Sequence, residues 1–244
     1  MENEGKVDQD IKFQWAVLIV LIIAWIVNII AQNRITGVQG SQLATAFFIF
    51  IIFALYRDMG KLEPNEVLKV CGVKSIKISK LLLYVLLTIL LDVLISIFIL
   101  PKIFHMSGYY LVLSQDDLEF RKDVANFGEL PIIISSATFF LYQTFLEELL
   151  FRGILLRKLL YKYNFWIANV IQSVVFGLIH LPIVLSGSVS PNDRLFNLSV
   201  KIVGGFLFGC AYAKTDNNLF PSWVSHFLVN FSHILLLIFF GIST

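Results

Sequence analysis

Charge is scarce in this chain. Asp, Glu, Lys and Arg make up only 15% of its 244 residues, and the formal net charge is +2. So small a surplus, spread over the connections between apolar runs, offers no basic face to nucleic acid, which is excluded as a partner. Cysteine is equally thin. Cys71 and Cys210 stand far apart with no Cys-x-x-Cys pair and no Cys/His cluster, so neither a disulfide framework nor a zinc finger is expected. Both read as packing residues. Also missing are the His-Glu-x-x-His pattern of the zincins and the Gly-x-Ser-x-Gly elbow of the serine hydrolases, which sets those two hydrolase classes aside. There are no repeats and no low-complexity tract. The lack of inverted repeats or broken helices argues against a transporter that relays protons through buried Glu and His.

What is present is apolar sequence. Hydrophobic residues are 57% of the chain, with 23 Phe, where a soluble domain has about 45 to 50%. Seven apolar runs can be marked, at residues 13–31, 41–56, 80–100, 131–160, 165–185, 195–213 and 219–241. In lipid every backbone amide needs an internal partner, so these runs must be helices. The expected fold is all-α, a polytopic membrane bundle of about seven transmembrane helices. The second run is short, since Leu43 to Tyr56 reaches only about 21 Å. The first run follows a polar dodecapeptide without an Ala-x-Ala cleavage pattern and reads as a retained span. With the N-terminus inside, thirteen of the 19 Lys and Arg fall on inside segments, the arrangement that cytoplasmic loops favour. The longest connection, Lys102 to Leu130, mixes aromatic and acidic residues and reads as an interfacial segment on the outer side. The expected location is integral to a bacterial plasma membrane with a cytoplasmic N-terminus.

Ionisable groups within spans cost about 2.5 to 3.5 kcal/mol each, so those present need a partner or a purpose. They collect in the second half of the chain. The fourth run contains Glu147-Glu148-Leu149-Leu150-Phe151-Arg152, the fifth contains Phe176-Gly177-Leu178-Ile179-His180, and the seventh contains His226-Phe227-Leu228-Val229-Asn230. Glu148 and Arg152, four apart, share a helix face and can pair. Glu147 is turned about 100° away and is left to point elsewhere. The break near Tyr163 and Asn164 makes the fourth and fifth runs an antiparallel hairpin in which Glu147 and His180 should be level. A second hairpin at Thr215 to Asn218 brings His226 about 15 Å into the membrane, with Asn230 on the same face. A carboxylate meeting an imidazole can hold and deprotonate water. A second histidine and an amide can donate to the oxyanion that forms when water attacks a carbonyl. That set suffices for peptide hydrolysis without a covalent intermediate.

These three motifs, in this order on successive helices, resemble the signature of the CAAX prenyl protease and bacteriocin-processing family, also called CPBP or Abi proteins. The resemblance covers about residues 131 to 236, and residues 1–130 carry no part of it. It implies two regions: 1–130, N-terminal transmembrane helices and the interfacial loop, and 131–241, the catalytic core. It further implies an intramembrane endopeptidase in which Glu147 activates water with His180, His226 and Asn230 stabilise the oxyanion, and Glu148 with Arg152 supports the site. Its substrate would be a membrane-associated, prenylated or leader-type peptide, or a membrane protein. Family members are often regarded as metalloproteases, so zinc is a conceivable cofactor, held by Glu147, His180 and His226. The glutamate-and-water version is preferred. The bacteriocin-associated branch also admits an immunity or scaffold protein without proteolysis. Seven spans are one fewer than in the prenyl protease branch.

Other polar positions have plainer readings. Phe176 is expected to pack beside His180, and His233 to be a satisfied helix histidine. His105 falls in a loop. Gly205-x-x-x-Gly209 would let a neighbouring helix approach closely. Asp92, in the third run, stays open between a supporting role at the site and a hydrogen bond between helices.

Overall fold

The computed structural model describes residues 64–105, 124, 126–181 and 190–239. All the secondary structure among them is helical. The chain divides into two compact units, Met1–Cys71 and Gly72–Thr244. Of the first, the described part contains one short helix, α1 (Pro64–Val70). The second holds α2 (Ile78–Ile103), α3 (Glu129–Leu159), α4 (Phe165–Ile179), α5 (Pro191–Lys214) and α6 (Leu219–Phe239). Four of these, α2, α3, α5 and α6, are long and apolar enough to cross a membrane. The protein is therefore an all-helical integral membrane protein. Five of the seven expected runs coincide with α2 to α6, and the runs at 13–31 and 41–56 lie outside the described residues. The fifth run was expected to continue to residue 185, whereas α4 closes at Ile179 and residues 182–189 are not among those described.

Local sequence explains where the helices begin and turn. Gly128 enters α3 at φ 83°, a conformation that costs glycine little, and Glu129 lies in the first turn, where the helix dipole favours an acid. Asn164 caps α4 by accepting from the Ile167 amide at 3.1 Å. Ser190 and Asp193 form a capping box at the start of α5, with Pro191 in its first turn. The connection from α5 to α6 is tight because Asp216 and Asn217 adopt φ 60° and 55°, the left-handed region that short polar side chains tolerate best. The residues preceding α2 tie into this turn: the Leu219 amide donates to Gly72 O at 2.9 Å, and Asn218 Nδ2 donates to Lys74 O at 2.8 Å.

α4 and α5 pack antiparallel, with Gly177 against Ile202, Gly205 against Ser173 and Phe176, and Gly209 against Asn169. A Cβ added at Gly205 would fall 3.2 Å from Ser173 Cα, so the small residue is what lets the two backbones approach. The spacing read from sequence as a packing device acts as one. α6 lies against α3, α2 and α5, and α2 also lies against α5. α2 turns Leu82, Leu83, Leu86, Leu87 and Leu90 outward, as a lipid-facing surface would, and buries Val85, Thr88, Asp92 and Ser96 on its inner stripe. Two helices widen locally into π turns, α2 at Ile95–Ile99, just past Asp92, and α3 at Leu149–Leu156, just past Glu148. Such turns are uncommon inside helices and often mark functional positions.

Candidate active site

The buried polar groups converge where α3, α4, α5 and α6 meet. Glu147 is 3% exposed, Glu148 and Arg152 are 0% and His226 is 4%. Two carboxylates and one guanidinium withdrawn this far from water must compensate one another, because each alone would cost several kcal/mol.

The compensation runs through one oxygen. Glu148 Oε1 accepts from Arg152 Nη1 at 2.7 Å and lies 2.9 Å from His226 Nδ1. A carboxylate is acceptor-only when ionised, so Nδ1 of His226 carries the proton in that bond. Arg152 reaches on to α5, where Nη2 donates to the Gly205 carbonyl at 2.8 Å, and its guanidinium sits 4.8 Å over the Phe176 ring and 5.4 Å over the Phe208 ring. The i, i+4 pair expected from sequence is thus present and is joined to three further helices. Gly205 is the shared anchor, since Gln172 Nε2 also donates to its carbonyl at 2.8 Å.

Glu147 occupies the other side of His226. Its Oε2 lies 3.7 Å from His226 Nε2, and its Oε1 accepts from Gln143 Nε2 at 3.0 Å. Successive helix residues diverge by about 100°, and the imidazole spans that angle by offering one nitrogen to each glutamate. Oε2 is buried and has no hydrogen-bond partner among the described residues. A separation of 3.7 Å is too long for a direct hydrogen bond.

His180 and Asn230 are placed differently. His180 follows the last residue of α4, and its Nδ1 lies 2.8 Å from the Phe176 carbonyl. A carbonyl only accepts, so Nδ1 is the protonated nitrogen and Nε2 of the neutral ring carries a lone pair. His180 was expected level with Glu147 and in contact with it. It lies within electrostatic reach of Glu147, but the histidine that approaches Glu147 is His226. Phe176 stands between the two imidazoles, with ring centroids 4.9 Å from His180 and 5.7 Å from His226. It therefore does more than pack beside His180, as the sequence had suggested. Asn230 is half-buried one turn beyond His226 on α6.

Three contributors escaped the sequence reading. Gln143, one turn before Glu147, could have been found by its i, i+4 spacing. Phe208, which stacks on His226 at 4.7 Å and 22°, carried no sequence signal, because the chain has 23 Phe. The Gly205 carbonyl is a backbone group and leaves no trace in residue type.

A zinc centre built on Glu147, His180 and His226 finds no support in this geometry. Among the described residues no group of three or more His, Cys, Asp or Glu side chains is arranged to hold a metal ion. Only Glu147 and His226 approach each other, and the second nitrogen of His226 is engaged by Glu148.

The comparison with known proteins meets this site directly. Residues 129–232 match the family model described as Type II CAAX prenyl endopeptidase Rce1-like. This stretch is similar to the Rce1-like family. All three motifs lie inside it, as the resemblance in the sequence implied, whereas α2 and Asp92 lie outside. "Putative membrane peptidase YdiL" of Bacillus subtilis (strain 168) is 32% identical over 108 residues, which are 44% of this chain and 37% of that protein. The match thus spans little more than a third of the length of that curated relative. No solved structure matches the chain.

Proposed function

We propose that the protein is an intramembrane endopeptidase that hydrolyses peptide bonds with a water activated by Glu147. The observation that carries this reading is the Glu147 carboxylate, buried in the bundle, with Oε2 unpartnered among the described residues and 3.7 Å from His226 Nε2. The Rce1-like character of residues 129–232 supports the same class of reaction.

The residues divide the work as follows. Gln143 holds one oxygen of Glu147, leaving Oε2 to take a proton from water. The lone pair at His180 Nε2 accepts the other water hydrogen and orients the nucleophile. As the water oxygen bonds to the scissile carbonyl carbon, one proton passes to Glu147 and the carbonyl becomes an oxyanion. His226, in its doubly protonated form, donates from Nε2 to that oxyanion, and the Asn230 amide donates beside it. Collapse of the tetrahedral intermediate breaks the C–N bond, and Glu147 returns its proton to the departing amine. A positioned base contributes about 10² to 10⁴ in rate, and each oxyanion donor about 10² to 10³. Glu148 and Arg152 do not touch substrate in this scheme. They fix the ring of His226 and hold its Nδ1 proton.

The substrate is a membrane-associated peptide, prenylated or of leader type, presented to the site from the bilayer. The catalytic core is residues 131–241, in a bacterial plasma membrane with the N-terminus cytoplasmic. Comparing the membrane peptidome of cells carrying wild-type protein with that of cells carrying Glu147→Gln tests the reading. Fragments that appear only with wild type support it. Identical peptidomes, with a cellular phenotype that survives both Glu147→Gln and His180→Ala, would favour a scaffold or immunity role without proteolysis.

A further inference from the structure

A stripe on α5 faces the site, and one of its members has no place in the scheme above. Residues 201, 204, 205 and 208 follow the i, i+3, i+4, i+7 spacing of a single helix face. Phe208 stacks on His226, the Gly205 carbonyl holds Arg152, and a Cβ at Gly204 would lie 3.7 Å from Asp92 Oδ1 on α2. The fourth member is Lys201, a half-buried cation within a membrane span. The packing of Ile202 on Gly177 brings this level of α5 beside the end of α4, where His180 sits. Lys201 lies within electrostatic reach of both His180 and Asp92.

α2 contributes from the opposite side. It packs antiparallel to α5, with Asp92 at Gly204 and Phe104 against Phe196 at 6.3 Å. Asp92 is buried, and it too lies within electrostatic reach of His226. Ser96, one turn further along the same stripe toward the level of Lys201, is buried with a hydroxyl unpartnered among the described residues. The π turn at Ile95–Ile99 starts between them. A lysine and an aspartate in a span are costly unless they serve each other or a ligand.

We propose that Lys201 is the cation that faces the negative charge developing on the substrate carbonyl, and that Asp92 is the residue that positions it. This rests on the peptidase reading and extends the site beyond the Rce1-like stretch to α2. Before water attacks, Asp92 balances the Lys201 charge. As the carbonyl oxygen becomes anionic, Lys201 gains a second negative neighbour on the His180 side of the site. A preorganised charge aimed at developing charge acts on the transition state more than on the bound substrate. No proton moves to or from Lys201.

The test uses the full-length protein in lipid nanodiscs as wild type, Lys201→Met, Lys201→Arg and Asp92→Asn, with thermal unfolding to establish folding. Two ligands are compared: a neutral membrane peptide, and its phosphinic analogue, which places a tetrahedral anion where the scissile carbonyl stood. Expected are a tenfold to hundredfold loss of kcat for Lys201→Met with KM nearly unchanged, a similar loss of affinity for the phosphinic analogue alone, and recovery in Lys201→Arg. Asp92→Asn should lower kcat less. A purely structural role would weaken both ligands together or lower the unfolding temperature without changing their ratio, and that result overturns the proposal, as does an unchanged ratio in a well-folded Lys201→Met. Should Lys201→Met not fold, Lys201→Gln gives the same comparison. The binding arm needs no turnover. Wild-type protein that cleaves nothing yet distinguishes the two ligands through Lys201 would contradict the peptidase reading and leave the anion site standing.

Discussion

Replacing Arg152 with methionine removes the guanidinium that the buried polar groups of α3 and α5 share. The guanidinium is fully buried and serves four groups: Glu148 at 2.7 Å, the Gly205 carbonyl at 2.8 Å and the faces of Phe176 and Phe208. These losses are unequal. Gly205 keeps its bond from Gln172 at 2.8 Å, so that carbonyl is not stranded. The aromatic faces exchange a cation for an apolar chain of similar reach. Glu148, by contrast, is left as a buried carboxylate with only His226 Nδ1 against it, beside a second carboxylate in Glu147. Breaking a buried pair by removing one partner costs about 3 to 5 kcal/mol, and the charge left behind accounts for most of it. Arg152→Met should therefore lose about that much in equilibrium unfolding measured in bicelles. The double variant Arg152→Met with Glu148→Gln, which removes the stranded charge, should recover at least half. A single variant within about 1 kcal/mol of wild type, or a double variant no better than the single, would refute the view that the charge on Glu148 is what Arg152 compensates.

Three smaller expectations follow from the packing and the loops. Gly205→Ala puts a Cβ 3.2 Å from Ser173 Cα and 3.1 Å from Phe176 Cδ1; a backbone contact yields little, so overpacking should cost about 1 to 3 kcal/mol in the same unfolding assay, with a parallel loss of turnover. Gln143→Leu frees Oε1 of Glu147, and kcat should fall while the unfolding midpoint changes little; an unaltered kcat would show that Glu147 needs no such hold. In the turn before α6, the hydrogen bond from Lys80 at 2.6 Å holds the Asp216 carboxyl below the usual carboxylate range. A depressed folded value means that its stabilisation is present above the ordinary carboxylate value and is lost as pH falls through the folded one. Asp216→Asn should thus remove a small acid-limb dependence of unfolding and leave neutral stability nearly unchanged, since the pair is solvent-exposed.

Much of the site could be read before any coordinates, because membrane burial makes each ionisable residue conspicuous. Glu148 and Arg152 were paired from i, i+4 spacing alone, and the turn at Thr215 to Asn218 was located from its polar residues. The helix hairpins followed from the same reasoning. What sequence could not supply was orientation across helices. His226 takes both glutamates because its ring, rather than that of His180, comes down between them, and the π turn at Leu149–Leu156 lies in the very segment that carries Arg152. Nothing in residue type announces a π turn. Asp92 was visible as an anomaly, yet its neighbours are a glycine backbone and a lysine on another helix, which no spacing within its own run could reveal.

The claim on which the rest stands is that Glu147 takes the proton from the attacking water. Single-turnover cleavage of a membrane peptide by purified, folded protein in nanodiscs measures it most directly, with wild type and Glu147→Gln compared at equal peptide occupancy. Loss of a general base predicts a rate at least about a hundredfold lower with peptide affinity retained. Cleavage by Glu147→Gln within about threefold of wild type would contradict it, since an amide cannot accept that proton.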